Sequence, residues 1–392
     1  MKGIRIVDLT RVLAGPWAAQ QLADQGAEVI KVEPPGGDET RHFGPHVAGE
    51  STYFLSANRN KRSIALDLTT PAAREILERL LADADLVLEN FRPGVAERLG
   101  LGWEELHRRH PKLVYVSIHA FGDDGDPEWV RRPGYDLVLQ AMGGAASTTG
   151  FPGTPPQKHS LSIADLLSGL FATQAALVGL LHREHTGETQ KIVVNMMAVQ
   201  AAALTYHATR YTVIGEVEEK RGSSHRGLVP YDLFRCTDGW LALACGNDAI
   251  WLRLREALGL PDKAEWRRNV DRVTHRTDVD AAVADALALR TVKEADRLLA
   301  AASVPAGPVL TMDQTLGHPA VPLCSANHPT LGPIRMPGPP FRTTTTVDRH
   351  TAPPRLGQHR DEILRDMGYQ PHEIAQLDTD GAFGRLTPDG SG

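Results

Sequence analysis

Asp165, within Ser162–Gly169 (SIADLLSG), stands just before a helical run from Leu166 to Arg183, so its carboxylate projects from a helix N-terminus. A carboxylate can serve as a covalent nucleophile. At the start of a helix its simpler role is a cap that accepts backbone N–H bonds and stabilises the helix by roughly 1 kcal/mol. Taken alone, the residue favours the cap. Tyr135, in Gly134–Asp136 (GYD), is a poor proton shuttle near neutral pH because a phenol ordinarily titrates near 10, roughly, whereas a histidine would serve well. Arg41 and Lys61 are candidates for binding phosphate, against the ordinary reading of solvated surface charges. Cys236, Cys245 and Cys324 are odd in number and widely separated, with no C-x-x-C pair and no histidine at metal-ligand spacing. They read as reduced, buried thiols, and no metal site is expected.

The elements that must position these residues begin at the N-terminus. Gly3 to Leu9 and Ala27 to Glu33 are short β-branched runs, and Pro16 to Gln25 between them places apolar residues at helical spacing. This is a βαβ unit. Its connections, RVLAGP (Arg11 to Pro16) and PPGGDETR (Pro34 to Arg41), lack G-x-G-x-x-G, which disfavours a plain dinucleotide-binding fold. A predicted helix over Pro71 to Ala84, a strand over Leu86 to Glu89, a helix over Trp103 to His110 and a strand over Leu113 to Ile118 continue the alternation. The pattern implies an α/β fold: a large Rossmann-like domain with a mostly parallel sheet, its motif loops gathered at the carboxyl ends of the strands.

After about Gln200 the organisation changes. A linker over 201–228 leads to two antiparallel strands turning at Thr237 to Gly239, then to predicted helices over Ala249 to Leu258 and Val279 to Ala302. Residues 1–200 are thus read as the large domain and 229–325 as a smaller α+β domain. Residues 326–392 are read as a C-terminal segment with a short helix from Arg360 and a frayed tail in the last dozen residues.

Composition limits the function. The 392 residues include 42 basic and 48 acidic ones, a net charge of -6, which argues against nucleic acid and requires any phosphate site to be built from individually placed Arg and Lys. The N-terminus enters a strand without a basic region or cleavage site, and no later run is read as long enough to span a membrane. A cytoplasmic enzyme with no membrane partner is expected.

Taken in order, AEVIKVEPPGGDETR, NRNKRSIALDL (Asn58 to Leu68), LENFRPGVAERLGLGWEEL (Leu88 to Leu106), GYD, IADLLSG and LGQH (Leu356 to His359) resemble the class III CoA-transferases. That superfamily includes formyl-CoA transferase and the α-methylacyl-CoA racemases. The resemblance covers nearly the whole chain. It implies the class III CoA-transferase fold, an interlocked homodimer in which the C-terminal segment returns to the large domain, and acyl-CoA and a small carboxylic acid as substrates. No tightly bound cofactor and no metal are implied.

The resemblance also turns Asp165 from a cap into the nucleophile that attacks the acyl-CoA thioester to give a mixed anhydride, and places Tyr135 in the catalytic site. Racemases resembling this chain carry His where Tyr135 stands, so Tyr135 favours CoA transfer over the alternative, proton exchange at the acyl α-carbon. CoA contacts are implied at Leu13 and Ala14, at Leu66, Asp67, Leu68 and Thr69, and at Asn90, Phe91, Arg92 and Arg98, with Phe91 stacking on adenine and Arg98 pairing with a phosphate. Gly143 and Gly144, or a turn within Gly222 to Gly227, are candidate oxyanion donors. The nearer likeness is to transferases using succinyl-CoA or another dicarboxyl-CoA, for whose distal carboxylate Arg11, Arg221, His225 and Arg226 are the expected cations.

Overall fold

Alternating apolar side chains build the central sheet. Ile6, Val29, Leu86, Leu88, Val114 and Val116 face one layer of helices, while Val7, Ile30, Val87 and Tyr115 face the other. This period of two, buried on both sides, is what a parallel sheet between helical layers requires. The computed structural model describes residues 1–344 and 350–384. Of the frayed tail expected at the C-terminus, residues 385–392 lie outside the described residues.

The six strands stand in the order Lys61–Ala65, Glu28–Glu33, Arg5–Asp8, Leu86–Glu89, Val114–His119, Lys191–Asn195, all parallel. The strand order reverses at Arg5–Asp8, so the loops leaving Arg5–Asp8 and Leu86–Glu89 diverge and open a crevice at their carboxyl ends. The Rossmann-like order therefore forms without the glycine fingerprint. Strand Lys191–Asn195, at the edge, was not among the sequence expectations, because its short apolar run leads straight into helix Met196–Ala203.

Two helices set the geometry beside the crevice. Ala14–Asp24 and Ile163–Thr186 meet through alanines, among them Ala18, Ala19, Ala172 and Ala176. A Cβ at Gly169 would lie 2.7 Å from the Ala14 carbonyl oxygen, and one at Gly179 would lie 2.5 Å from Val114 Cγ1. Glycine at these two points lets the long helix lie directly on its neighbours. At 24 residues that helix is long and apolar enough to cross a membrane, contrary to the expectation that no run reaches that length. Here its alanine face packs on the sheet, while Leu170, Phe171, Leu177, Val178 and Leu181 remain exposed along its outer side.

Charges run through the carboxyl edge of the sheet. Lys61 Nζ lies 2.9 Å from Asp8 Oδ2 and also donates to Asn58 Oδ1 and the Pro16 carbonyl, and Lys31 Nζ lies 3.0 Å from Asp38 Oδ2 while donating to the Thr10 carbonyl. Arg41 grips both oxygens of buried Glu33 at 2.7 Å and covers the ring of Phe54. Burial opposes ionisation of Asp8 and Asp38, but the lysines outweigh it and hold both carboxyls below their usual range. Burial pushes the Lys61 ammonium down to about 8 despite Asp8. The expectation that Lys61 and Arg41 bind phosphate is thus corrected: Lys61 is 1% exposed, and the donors of both are spent inside the protein.

The chain divides into two compact units, one of residues 1–145, 158–213 and 320–392, the other of 146–157 and 214–319. The boundary falls later than Gln200 because helix Tyr206–Ile214 occupies part of the expected linker. The second unit holds the antiparallel strands Ala306–Pro308, Trp240–Ala244 and Tyr231–Arg235, packed by helices around Trp251 and Trp266. The helix expected over Val279 to Ala302 is two helices, Arg276–Ala288 and Val292–Ala301, because Thr291 and Glu294 form a capping box that starts the second.

Candidate active site

The crevice at the strand reversal is a cavity of about 400 Å³. Its wall combines Arg11 to Ala14, Asn90 to Pro93, His119, Ala120, Tyr135 and Asp165. Each stretch follows or ends a strand, or opens a helix, so the sheet brings together groups that are more than 150 positions apart in the chain.

Asp165 sits in the first turn of helix Ile163–Thr186, inside it and not just before it. Its carboxylate is half-buried and makes no hydrogen bond or ion pair among the described residues. The capping role falls instead to Asp136, whose Oδ1 accepts the Ala164 N–H at 3.0 Å while Oδ2 accepts from Gln140 Nε2 at 2.8 Å. Gln140 in turn accepts the His159 N–H. Burial, and then the Asp136 charge, push the Asp165 carboxyl up to about 7. Asp136 lies in the GYD motif but was assigned no role from sequence, since its bond to Ala164 spans 28 positions and leaves no local signal.

The turn facing Asp165 is held from several sides. Asn90 Oδ1 accepts the Arg11 N–H and its Nδ2 donates to the Arg11 carbonyl, both at 2.8 Å. Val12, a β-branched residue at φ 68°, is tied through its N–H to Asp38 Oδ1. That left-handed conformation costs about 1–3 kcal/mol, so the clamp is what keeps Leu13 and Ala14 in the cavity wall. Asn90 therefore has its side chain committed to the turn.

The remaining expected residues divide between two places. Leu13, Ala14, Asn90, Phe91, Arg92 and Tyr135 line the Asp165 cavity, Tyr135 with 55% of its surface exposed. Leu68 and Arg98 line a separate cleft of about 540 Å³, also bordered by Arg74 and Arg109, and Leu99 borders both spaces. Leu66, Asp67 and Thr69 line neither. Leu66 is a core residue, and Asp67 accepts the N–H and hydroxyl of Thr69. Among the expected oxyanion donors, the Gly143, Gly222 and Gly227 N–H groups are already bonded to the Leu139 carbonyl, the Gly150 carbonyl and His225 Nδ1. Arg221 and Arg226 pair with Glu218 and Glu216, and these two and His225 belong to the second unit, so of the four expected cations Arg11 is the one that lines the cavity. His119 and Glu89, which the sequence reading did not single out, also belong to this wall and its backing.

The arrangement presents an unpaired carboxylate of raised basicity to a half-open cavity that Arg11 also lines, a setting that suits a carboxylate adding to an activated carbonyl. The chain is 38% identical over 378 residues to the mouse succinyl-CoA:glutarate CoA-transferase, covering 94% of this chain and 86% of that protein. It is 36% identical to the succinate–glutarate CoA-transferase of Agrobacterium fabrum, covering 94% and 95% of the two chains. The crystal structure of a CAIB/BAIF family protein from Brucella suis superposes with a TM-score of 0.82 at 34% identity, covering 93% of this chain and 98% of that one. The model of CoA-transferase family III matches residues 1–360, and the chain belongs to that family.

Proposed function

We propose that this enzyme moves CoA from succinyl-CoA or another dicarboxyl-CoA to a carboxylic acid through covalent intermediates on Asp165. The observation that carries the reading is that Asp136 caps the long helix, so Asp165 is released to face the cavity without a partner. An Asp165 oxygen adds to the thioester carbonyl, the C–S bond breaks, and CoA thiolate leaves a mixed anhydride. The thiolate attacks the Asp165 carbonyl, expelling the donor acid and forming an enzyme thioester. The acceptor carboxylate displaces the thiolate to give a new anhydride, which the thiolate attacks at the acceptor carbonyl. New acyl-CoA and free Asp165 result, and one thioester has been exchanged for another with no external energy source. The Leu13 and Ala14 N–H groups at the start of helix Ala14–Asp24, which have no intrahelical partner, are the donors suited to receive the tetrahedral oxyanions.

The separate cleft with Leu68 and Arg98 suits the nucleotide end of CoA, and the Asp165 cavity suits its acyl end, since Leu99 borders both. The exposed row Leu170, Leu177 and Leu181 on the long helix supports a second copy of this chain as its cover, because side chains of this size in one row are costly to leave in water.

The deciding experiment incubates the protein with succinyl-CoA and a panel of carboxylic acids in deuterated buffer and reads all CoA esters by mass spectrometry. New esters that depend on the added acid are expected. Deuterium gained at an acyl α-carbon with no new ester would replace this reading with the racemase one.

A pH dependence follows from the same site. Because Asp165 must be ionised to attack and titrates at about 7, kcat/KM should climb through an acid limb near neutrality. Asp136→Asn, which removes the neighbouring charge, should move that limb down by roughly one unit. A limb unmoved in that variant would assign it to another group.

A further inference from the structure

His119 ends the strand Val114–His119 in the wall of the Asp165 cavity, and only 8% of it is exposed. Its Nδ1 is enclosed and has no hydrogen-bond partner, and its Nε2 stands 3.7 Å from Glu89 Oε1, beyond hydrogen-bond reach. Glu89 is already engaged, its Oε1 accepting the Tyr115 hydroxyl at 3.2 Å and its Oε2 the Phe91 N–H at 2.7 Å. Nε2, unlike Nδ1, is not enclosed, so an acceptor entering the cavity gives the ring a hydrogen bond that it lacks in the free protein.

Arg11 is the second group without a partner. Its guanidinium lies over the Phe91 ring, 5.7 Å from the centroid, and makes no ion pair among the described residues. Arg11 follows strand Arg5–Asp8 and His119 ends Val114–His119, with Leu86–Glu89 between them, so the two flank the Asn90–Phe91 turn. Nitrogen donors on both sides of a space this small suit a carboxylate. The phosphates of CoA are not the anion they suit, because Arg98 stands in the separate cleft. The negative charge expected beside Asp165 is therefore one carried by the acyl group itself.

We propose that His119 and Arg11 hold the distal carboxylate of a dicarboxylic acyl group while Asp165 attacks its thioester, making His119 a specificity-determining residue. This rests on the CoA-transfer reading above. Glu89 lies against the ring, its own oxygens fixed by Tyr115 and Phe91, and so keeps the imidazole in place. A methyl group in the carboxylate's position would leave both donors unsatisfied, the arrangement that discriminates most strongly against a substrate lacking the polar group.

The test compares succinyl-CoA with butyryl-CoA, which has a methyl group where succinyl-CoA has its distal carboxylate, as donors to one acceptor acid. The ratio of their kcat/KM values should fall by roughly 30- to 100-fold in His119→Leu and by less in His119→Gln, which keeps an N–H donor. An unchanged ratio, or an equal loss with both esters, overturns the assignment. If the Leu variant does not fold, the Gln variant decides by the same ratio. Wild-type protein that exchanges no acyl group with any acid would overturn the transferase reading and this inference together. Wild-type exchange with an unaltered ratio in the variants would overturn this inference alone.

Discussion

Asp165→Ala is expected to lower acyl exchange by at least about 10³-fold, since the covalent route loses the carboxylate on which it is built. Binding of CoA should persist, because Leu68 and Arg98 lie in the separate cleft and helix Ile163–Thr186 keeps its Asp136 cap. Asp165→Asn provides the matched control, close to the native shape but without a nucleophilic oxygen anion. It also carries a stability signature of definite sign. The folded-state pKa of about 7 stands above the ordinary 3.8, so the folded protein binds the extra proton between those values and gains stability as pH falls through that window. Above pH 7 the ionised side chain is a burden of as much as about 4 kcal/mol, less what solvent contact with the half-buried group returns. Asp165→Asn should therefore raise the melting temperature at pH 8 and leave it nearly unchanged at pH 4. Substantial exchange activity in either variant would remove the nucleophile assignment.

Lys61→Met is the second large effect, and it concerns the scaffold. Lys61 and Asp8 are both fully enclosed, and removing the cation leaves the Asp8 carboxylate with Lys31 and Thr10 as its remaining company. Breaking a buried pair in this way costs about 3–5 kcal/mol, whereas replacing both members with apolar or neutral groups of similar size costs far less. Asp8→Asn combined with Lys61→Met should accordingly recover much of the loss. Hydrogen exchange of peptides spanning Arg5–Asp8 and Lys61–Ala65 reads the large unit directly. Equal protection in Lys61→Met and the native protein would show that the pair contributes nothing to holding these strands.

Asp165 and Lys61 differ in how much of their surroundings is local in the chain. The βαβ start, the alternation through Ile118 and the antiparallel pair turning at Thr237 to Gly239 were legible because apolar period and turn residues are local signals. The cavity loops that follow strands, Arg11 to Ala14 and Asn90 to Pro93, were legible for the same reason. Lys31, Glu33 and Lys61 were not, because the residues that neutralise them sit on other strands and loops, as with Asp8, which lies 53 positions from Lys61. Nothing near Lys61 marks it as interior. Asp136 and His119 share that difficulty: one acts through a bond 28 positions away, the other through the absence of any bond. The division of the helix after Ala288 is legible in the sequence, where Thr291 and Glu294 carry the capping-box spacing.

The backbone approach at Gly169 has a consequence for how such an enzyme diversifies. With a Cβ position only 2.7 Å from the Ala14 carbonyl, the height of Asp165 above the sheet is indexed by main chain against main chain. Side chains in the wall, among them Arg11 and His119, take no part in that index. They can be exchanged one at a time to suit a different acid while the Asp165 carboxylate stays at the same coordinates, so new preferences can arise by retailoring the lining of a chamber whose frame is left alone.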